Sequence, residues 1–431
     1  MILLLACHAP PADPSDPPAS PIDTGAPRPT LTSPAELDGG VLRAAPITLE
    51  LGEGFAYNGQ VPGPTIRVTR AEAVSLLLQN DLSDATTIHW HGQRVPEAMD
   101  GAGWVDGGVL PGTGFTYTFT PADAGTFWYH PHLDVGSQVD GGLYGAFIVE
   151  DPSDPVVDRE LVVVFDAWAE HSEADDDHHA LTDPSATLWT VNGLVDPIFP
   201  AAAGERIRVR MINASNQSYL ALKWPEIRLI GGDQGLYGAP EAPTQIVLAP
   251  GDRAEAEWTP SESFDVDTAM WVASGGEALG EDRRLFTVEV EPGAAATPTE
   301  WPAGDTAPSP DPAYTDLTYT FQGGGEGAWL INGEAWPDVT VHTLPLDADT
   351  IVEVRNLSAT NHPFHLHGQR FEVLSVDDVP LAARRIEDTV DVGIRQRVRL
   401  RVHADNPGEW LLHCHLLGHE EGGMMTRVRV E

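Results

Sequence analysis

The sequence predicts an all-β chain of three consecutive β-sandwich units, and three observations carry that reading. Glycine (42) and proline (37) in 431 residues exceed their usual combined share of about 12%, which favours turn-rich β structure over helical bundles. Apolar residues recur in short runs with a two-residue period, the pattern of half-buried strands, and no long helical periodicity competes with it. A chain of this length carries a prior of three domains at ~150 residues each.

The elements follow in order. The leader ends in Leu4-Leu5-Ala6-Cys7, which resembles a bacterial lipobox with Cys7 as the lipidated residue. The apolar stretch is short for a signal peptide and has no basic segment before it. The expectation is an extracytoplasmic protein, in the periplasm or cell envelope, with a lipid anchor at Cys7. Residues 8 to about 35 are rich in Pro, Asp, Ala and Ser. Such a segment buries too little apolar surface to fold and reads as a disordered tether. Strand patterns begin near residue 36, as in Thr65-Ile66-Arg67-Val68-Thr69 and Phe115-Thr116-Tyr117-Thr118-Phe119. Asp151-Pro152-Ser153-Asp154-Pro155 marks a boundary, and strands resume at Leu161-Val162-Val163-Val164-Phe165. A Pro/Ala/Thr-rich stretch at about 291–312 reads as a second linker. The expected organisation is leader and tether 1–35, then domains at 36–152, 153–295 and 296–431.

Charge and cysteine usage remove several function classes. Lys+Arg 24 against Asp+Glu 65 gives a formal net charge of -41. Nucleic-acid binding needs basic surface and is disfavoured, as is docking on anionic lipid. Lys223 is the sole lysine. No apolar run approaches the ~20 residues of a transmembrane helix. Two cysteines, Cys7 and Cys414, exclude a disulfide framework.

Four short clusters hold ten of the sixteen histidines: His89-Trp90-His91, His130-Pro131-His132, His362-Pro363-Phe364-His365-Leu366-His367, and His413-Cys414-His415 with His419. Successive strand side chains point to opposite faces. Each His-x-His pair therefore shares a face, giving eight imidazoles in four pairs. Cys414 must point away from His413 and His415. His362, at an odd offset from His365, also faces away from its pair. The residues sort into two sites, one of eight histidines and one of Cys414, His362, His419 and nearby Met424. Two imidazoles, one thiolate and a weak thioether form the ligand group of a blue-copper electron-transfer site. Eight neutral imidazoles suit several closely spaced copper ions. The tripeptide His413-Cys414-His415 joins the two sites by covalent bonds. A single His-x-His is ordinarily chance; four, one of them flanking a cysteine, are not. Zinc prefers closed four-ligand sites and gives no reason to join two of them.

With these motifs the chain resembles the multicopper oxidases, the family of laccases and copper-efflux oxidases. Tyr57-Asn58-Gly59-Gln60-Val61-Pro62-Gly63-Pro64, Leu248-Ala249-Pro250-Gly251-Asp252-Arg253, Asp388-Thr389-Val390 and Asn406-Pro407-Gly408-Glu409-Trp410 extend the likeness over about residues 45–431. The resemblance implies three cupredoxin-like Greek-key β-sandwich domains and four copper ions. It implies a type 1 ion on His362, Cys414, His419 and axial Met424, and a type 2 ion on His89 and His365. It gives a type 3 pair to His91, His130, His132, His367, His413 and His415. Dioxygen is then reduced to water with electrons from an outside donor. Met425 is expected to pack rather than ligate. Asp100 and Glu420 match the family's proton-relay positions, a role that suits carboxylates because four protons are consumed per dioxygen. Gly418 stands where many relatives carry an acid.

The copper-efflux specialists carry methionine-rich segments, soft ligands for Cu(I). Here Ser358-Ala359-Thr360-Asn361 precedes His362, and few methionines remain. The expectation is a monomeric laccase-like oxidase of phenols or aromatic amines, with oxidation of Mn(II), Fe(II) or Cu(I) as the alternative. A copper-free structural relative and a nitrite reductase without type 3 copper both conflict with the full ligand set. Asp175-Asp176-Asp177-His178-His179 reads as a solvated loop rather than a metal site.

Overall fold

The computed structural model describes residues 27–49, 52–102, 107–169, 187–272, 282–293, 297–324 and 327–431. Cys7, the 175–179 loop and the expected boundary at 295/296 lie outside them. The described residues are 52% strand and 4% helix, in six sheets that fall into three successive pairs. No helix among the described residues is long and apolar enough to cross a membrane.

The first pair sets a sheet ordered Gly52–Tyr57, Val41–Leu49, Val74–Asn80, Gly114–Phe119 against one ordered Gly63–Thr69, Gly145–Glu150, Gly125–His130, His89–His91. The second pair contains the strands between Arg159 and Glu291, and the third those between Leu317 and Val430. The repeat is one of topology. In each pair the final strand runs parallel to a much earlier one: Gly145–Glu150 beside Gly63–Thr69, Arg283–Glu291 beside Ile198–Ala202, Met425–Val430 beside Val341–Leu344. Antiparallel neighbours and these parallel returns give the crossed connections of a Greek-key sandwich.

Each sandwich has its own core. Leu76, Trp90, Phe127 and Phe147 fill the first, Val163, Ile207, Trp258 and Phe286 the second, Phe321, Phe364, Leu400 and Trp410 the third. A further cluster crosses the boundaries, with Trp128 and Ile148 from the first sandwich, Val164 and Ile212 from the second, and Leu417 from the third. Burying such side chains is worth about 1.5–3 kcal/mol each, so the three sandwiches are held edge to edge by apolar packing as well as by ion pairs.

Two expected loose segments are docked instead. The end of the expected tether packs on the second sandwich. Leu31 is buried in its core, its N–H donates to the Ile198 carbonyl at 2.7 Å, and Arg28 pairs with Asp196. One leucine among prolines is enough to anchor it, because a paired strand edge also satisfies its backbone. Beyond Glu291, the Thr299 N–H donates to Glu257 at 2.6 Å, and Ser309 donates to Glu372 through both N–H and hydroxyl. The described part of this connection therefore lies along the second and third sandwiches.

Candidate metal centre

The histidines converge where the first sandwich meets the third. His89 and His91 form the strand His89–His91, registered so that His89 faces His130 across the ladder. In the third sandwich His365 faces His413, and Phe364 faces Cys414. Residues opposite in an antiparallel ladder share a face. One face thus carries His365 and His413 toward the first sandwich, and the other carries Cys414 into the core beside Phe364. Strand alternation sorts the residues as expected, with one refinement. His132, His367 and His415 each lie just past the end of their strand, so in three of the four pairs the second side chain is aimed by a turn rather than by the pleat.

Among the described residues, five sets of three donors come within 4.8 Å of one another: His89, His91 and His365; His91, His130 and His415; His132, His367 and His413; His362, Cys414 and His419; and His89, His367 and the carboxylate of Asp100. His91 belongs to two sets, and the members of the other three His-x-His pairs are divided between sets, which ties the histidine sets into one cluster. Nε2 of His413 lies 3.0 Å from that of His367 and 3.4 Å from that of His132. Ligands at about 2 Å from a shared ion require nitrogens this close.

The second nitrogen of each ring shows which atom is available. Nδ1 of His130 faces the Pro131 carbonyl at 2.9 Å, and Nδ1 of His365 faces the Asp388 carbonyl at 3.0 Å. Nδ1 of His367 faces Asp100 Oδ2 at 2.9 Å, and Nδ1 of His413 faces Glu420 Oε2 at 3.1 Å. These acceptors fix the tautomer and leave Nε2 for a metal. The buried Nε2 atoms of His89, His130 and His365, and both ring nitrogens of His415, have no hydrogen-bond partner. His91 is turned the other way, with Nε2 on Thr389 Oγ1 at 3.0 Å and an unpartnered Nδ1. Unpaired buried polar atoms cost free energy. So many in one place mark a site built for metal ions.

Burial holds the imidazoles neutral, as metal binding requires. It lowers His91, His130, His367 and His415 well below the usual histidine range, and His132 and His365 to about 4. His413 is the exception: burial pulls it down, but Glu420 reverses the shift and raises it. For Glu420, burial acts upward and the neighbouring His413 and His132 overcome it, holding the carboxyl at about 2.

The thiolate set sits beyond the cluster. Nδ1 of His362 and Nδ1 of His419 lie 3.4 and 3.6 Å from Cys414 Sγ. Burial pushes the Cys414 thiol up, so the free protein keeps it protonated. The short helix Leu417–Glu421 directs consecutive residues apart, since one helical step is about 100°. His419 reaches Cys414, and Glu420 reaches His413. Met424 is wholly buried with Cys414, and the loop is closed by Met424 N–H to the His419 carbonyl (2.9 Å) and Cys414 N–H to the Met424 carbonyl (3.1 Å). Met425 packs elsewhere, with Leu411 and Ala102. His362 is fully buried with Nε2 2.6 Å from Ser358 Oγ, whereas His419 is partly exposed with Trp329 stacked on its ring at 3.7 Å.

Asp100 and Glu420, expected as relay acids, stand at different edges of the cluster. Asp100 lies against His367 and His89, Glu420 against His413 and His132. The sequence reading gave no role to Asp388, Arg253, Ser358 or Trp329. The contacts of Asp388, Arg253 and Trp329 reach across the fold, and no local spacing announces them, whereas Ser358 stands only four residues before His362.

The comparisons agree with this geometry. The multicopper oxidase family models match residues 44–154 and 307–431. The multicopper oxidase MmcO of Mycobacterium tuberculosis is 30% identical, over 90% of this chain and 86% of its own length. This chain belongs to the multicopper oxidase family. Laccase-1 of Fomitopsis schrenkii is 28% identical over 85% of this chain and 80% of its own. Among solved structures, a multicopper oxidase from Campylobacter jejuni described as a metallo-oxidase has TM-score 0.80 and 26% identity, covering 94% of this chain and 96% of that one. The protein is a copper-dependent oxidoreductase that uses dioxygen as electron acceptor and takes electrons from a reducing substrate.

Proposed function

We propose that this oxidase is laccase-like, taking single electrons from phenolic or aromatic amine donors, and that it holds four copper ions. His362, Cys414, His419 and Met424 hold the type 1 ion, and His89 and His365 the type 2 ion. The type 3 pair is held by His91, His130 and His415 on one side and His132, His367 and His413 on the other. The buried nitrogens without partners and the thiol between two imidazoles support this assignment. Copper ions held by these residues would supply one-electron uptake from the donor and the four-electron, four-proton reduction of dioxygen to two waters.

The chain's own residues set the terms of that reaction. The backbone of His413-Cys414-His415 provides a covalent path from the thiolate site to the cluster. Asp100 and Glu420 set carboxylate oxygens beside cluster histidines, where each can take up a proton from solvent and pass it toward reduced oxygen, a positioned acid–base role that typically contributes 10²–10⁴-fold. Ser358 closes His362 Nε2, which leaves the His419 ring as the electron port.

The observation that carries the donor class is Trp329, stacked on that ring with planes 29° apart. An indole at the port offers an aromatic donor a flat, polarisable surface. The net charge of -41 favours the second reading, a metal-cation oxidase like the Campylobacter jejuni relative. Oxygen uptake by the copper-loaded protein decides between them, with phenols and aromatic amines in one panel, Cu(I), Fe(II) and Mn(II) in the other, and Cys414→Ser as control. Higher kcat/KM for the organic panel is expected. Dominance of one metal ion would transfer the protein to the metallo-oxidases.

A further inference from the structure

We propose that the second sandwich, whose described residues contribute no copper ligand, helps to fix the tautomers of His91 and His365 in the trinuclear cluster through Arg253. The inference rests on the assignment of His91 and His365 as copper ligands. Arg253 is a positioning residue that acts through Asp388.

Arg253 opens the strand Arg253–Trp258 after the turn Pro250-Gly251-Asp252. Its side chain has no solvent exposure. A guanidinium has five N–H donors, and each finds an acceptor here. Nε donates to the Thr126 carbonyl at 3.2 Å, Nη1 to the Gly251 carbonyl at 3.0 Å, and Nη2 to the Asp233 carbonyl at 3.2 Å. The remaining two donate to Asp388 as a fork, Nη1 to Oδ1 at 2.9 Å and Nη2 to Oδ2. Gln234 Nε2, also from the second sandwich, donates to Asp388 Oδ2 at 2.6 Å. Asp233 bridges the same joint, accepting from the backbone N–H of Arg253 at 2.8 Å and of Thr389 at 3.1 Å.

Asp388 so held meets both histidines. Its Oδ1 lies 3.2 Å from His91 Nε2 and 3.4 Å from His365 Nδ1. Thr389 Oγ1 donates its one proton to Asp388 Oδ1 at 2.9 Å, so toward His91 Nε2 (3.0 Å) and His365 Nδ1 (3.1 Å) it can only accept. Both ring nitrogens on that side therefore carry the proton. The atoms left without a partner are His91 Nδ1 and His365 Nε2, the lone pairs a copper ion needs. The two rings lie parallel, 3.8 Å apart at 9°, as one unit aimed by one carboxylate. The preceding turn closes the site as well. Gly251 has φ +90, and a Cβ there would stand 3.0 Å from the ring of His415. Outer partners of this kind typically govern roughly 10–100-fold in metal affinity.

Lysine keeps the charge but cannot make the fork. Arg253→Lys is therefore expected to bind type 1 copper normally, shown by an unchanged visible thiolate band, while losing type 2 and type 3 copper. Chelator titration followed by metal analysis, type 2 electron paramagnetic resonance and the type 3 near-ultraviolet band should report cluster affinity lower by roughly 10–100-fold. Wild-type cluster affinity and signals in Arg253→Lys would overturn the proposal. Should that variant lose the type 1 band through misfolding, Gln234→Leu decides. It removes one donor to the same carboxylate, and a smaller shift in cluster affinity alone is expected, whereas no shift overturns the proposal. Wild-type protein without type 2 and type 3 signals would instead refute the ligand assignment.

Discussion

At the scale of single residues the two acids beside the cluster have separable tests. Asp100 contacts His367 and His89, and stands apart from the thiolate site. Asp100→Asn removes a proton-exchanging group without changing its shape. It is expected to slow steady-state oxygen consumption by about 10²–10⁴-fold. Anaerobic reduction of the type 1 site by a donor should keep its wild-type rate, because no proton delivery to oxygen is involved. Stopped-flow bleaching of the visible band checks this, and slowed bleaching would remove Asp100 from the relay. Trp329 has the opposite signature. Its indole lies on His419 and edge-on to His362, so it touches the port and not the cluster. Aromatic contacts contribute about 0.5–1.5 kcal/mol beyond area, so Trp329→Ala should lower kcat/KM for phenols by about 2- to 10-fold. The rate with Fe(II) should not fall in parallel, and a uniform loss for both donors would argue that Trp329 only supports the type 1 site.

At the scale of elements, the legible part of the structure was whatever repeats locally. A two-residue period is printed along each strand, so the division of His413, Cys414 and His415 between two faces follows from strand geometry and is found in the ladder. Turn geometry is not printed in that period, and the strand-end positions of His132, His367 and His415 were beyond it. Arg253 and Asp388 are 135 residues apart, and nothing local in the sequence joins them. The same holds for the strand Ile207–Asn213, which buries Arg208 and Arg210 around Glu255 at 3.0 and 2.7 Å, with Thr126 of the first sandwich donating to the same carboxylate. Burial alone would raise the Glu255 carboxyl, but the two guanidinium charges outweigh it and hold it at about 2, against an ordinary 4.5. A depressed folded-state value contributes stability above the unfolded value and loses it as pH falls through the folded one. The contribution is on the order of 3 kcal/mol. It is complete above about pH 5 and declines toward pH 2. Glu255→Gln leaves two buried cations without their shared partner, a change that typically costs about 3–5 kcal/mol. Thermal unfolding of both proteins should show a large Tm gap at pH 6 that narrows steadily toward pH 2. A gap independent of pH would mean that packing, not charge, holds this joint.

At the scale of the whole molecule, several of the few cations join one sandwich to another. Arg67 of the first reaches Glu160 of the second, Arg94 of the first reaches Asp405 of the third, and Arg385 of the third reaches Glu241 of the second. Arg67 also serves Glu36 and Glu150. The chain as a whole carries a net charge of -41. Fields of this size concentrate cations near the surface and repel anions, and they act on the encounter step. Salt screens them over a Debye length of about 10 Å at 0.1 M. The prediction is a sign pattern in kcat/KM between 10 mM and 500 mM salt, concentrations chosen to span that length from about 30 Å to a few Å. A cationic aromatic amine or Fe(II) should lose efficiency with added salt, an anionic phenol should gain, and a neutral phenol should stay level. If the neutral phenol is the best donor at every salt concentration, the acidic surface has no part in choosing the substrate, and the indole at His419 is left as the determinant. If Fe(II) is best at low salt and falls steeply, the surface field is the selecting element and the metallo-oxidase reading gains over the laccase-like one. A cationic donor with no salt dependence would show that the approach to His419 is locally neutral despite the charge of the whole.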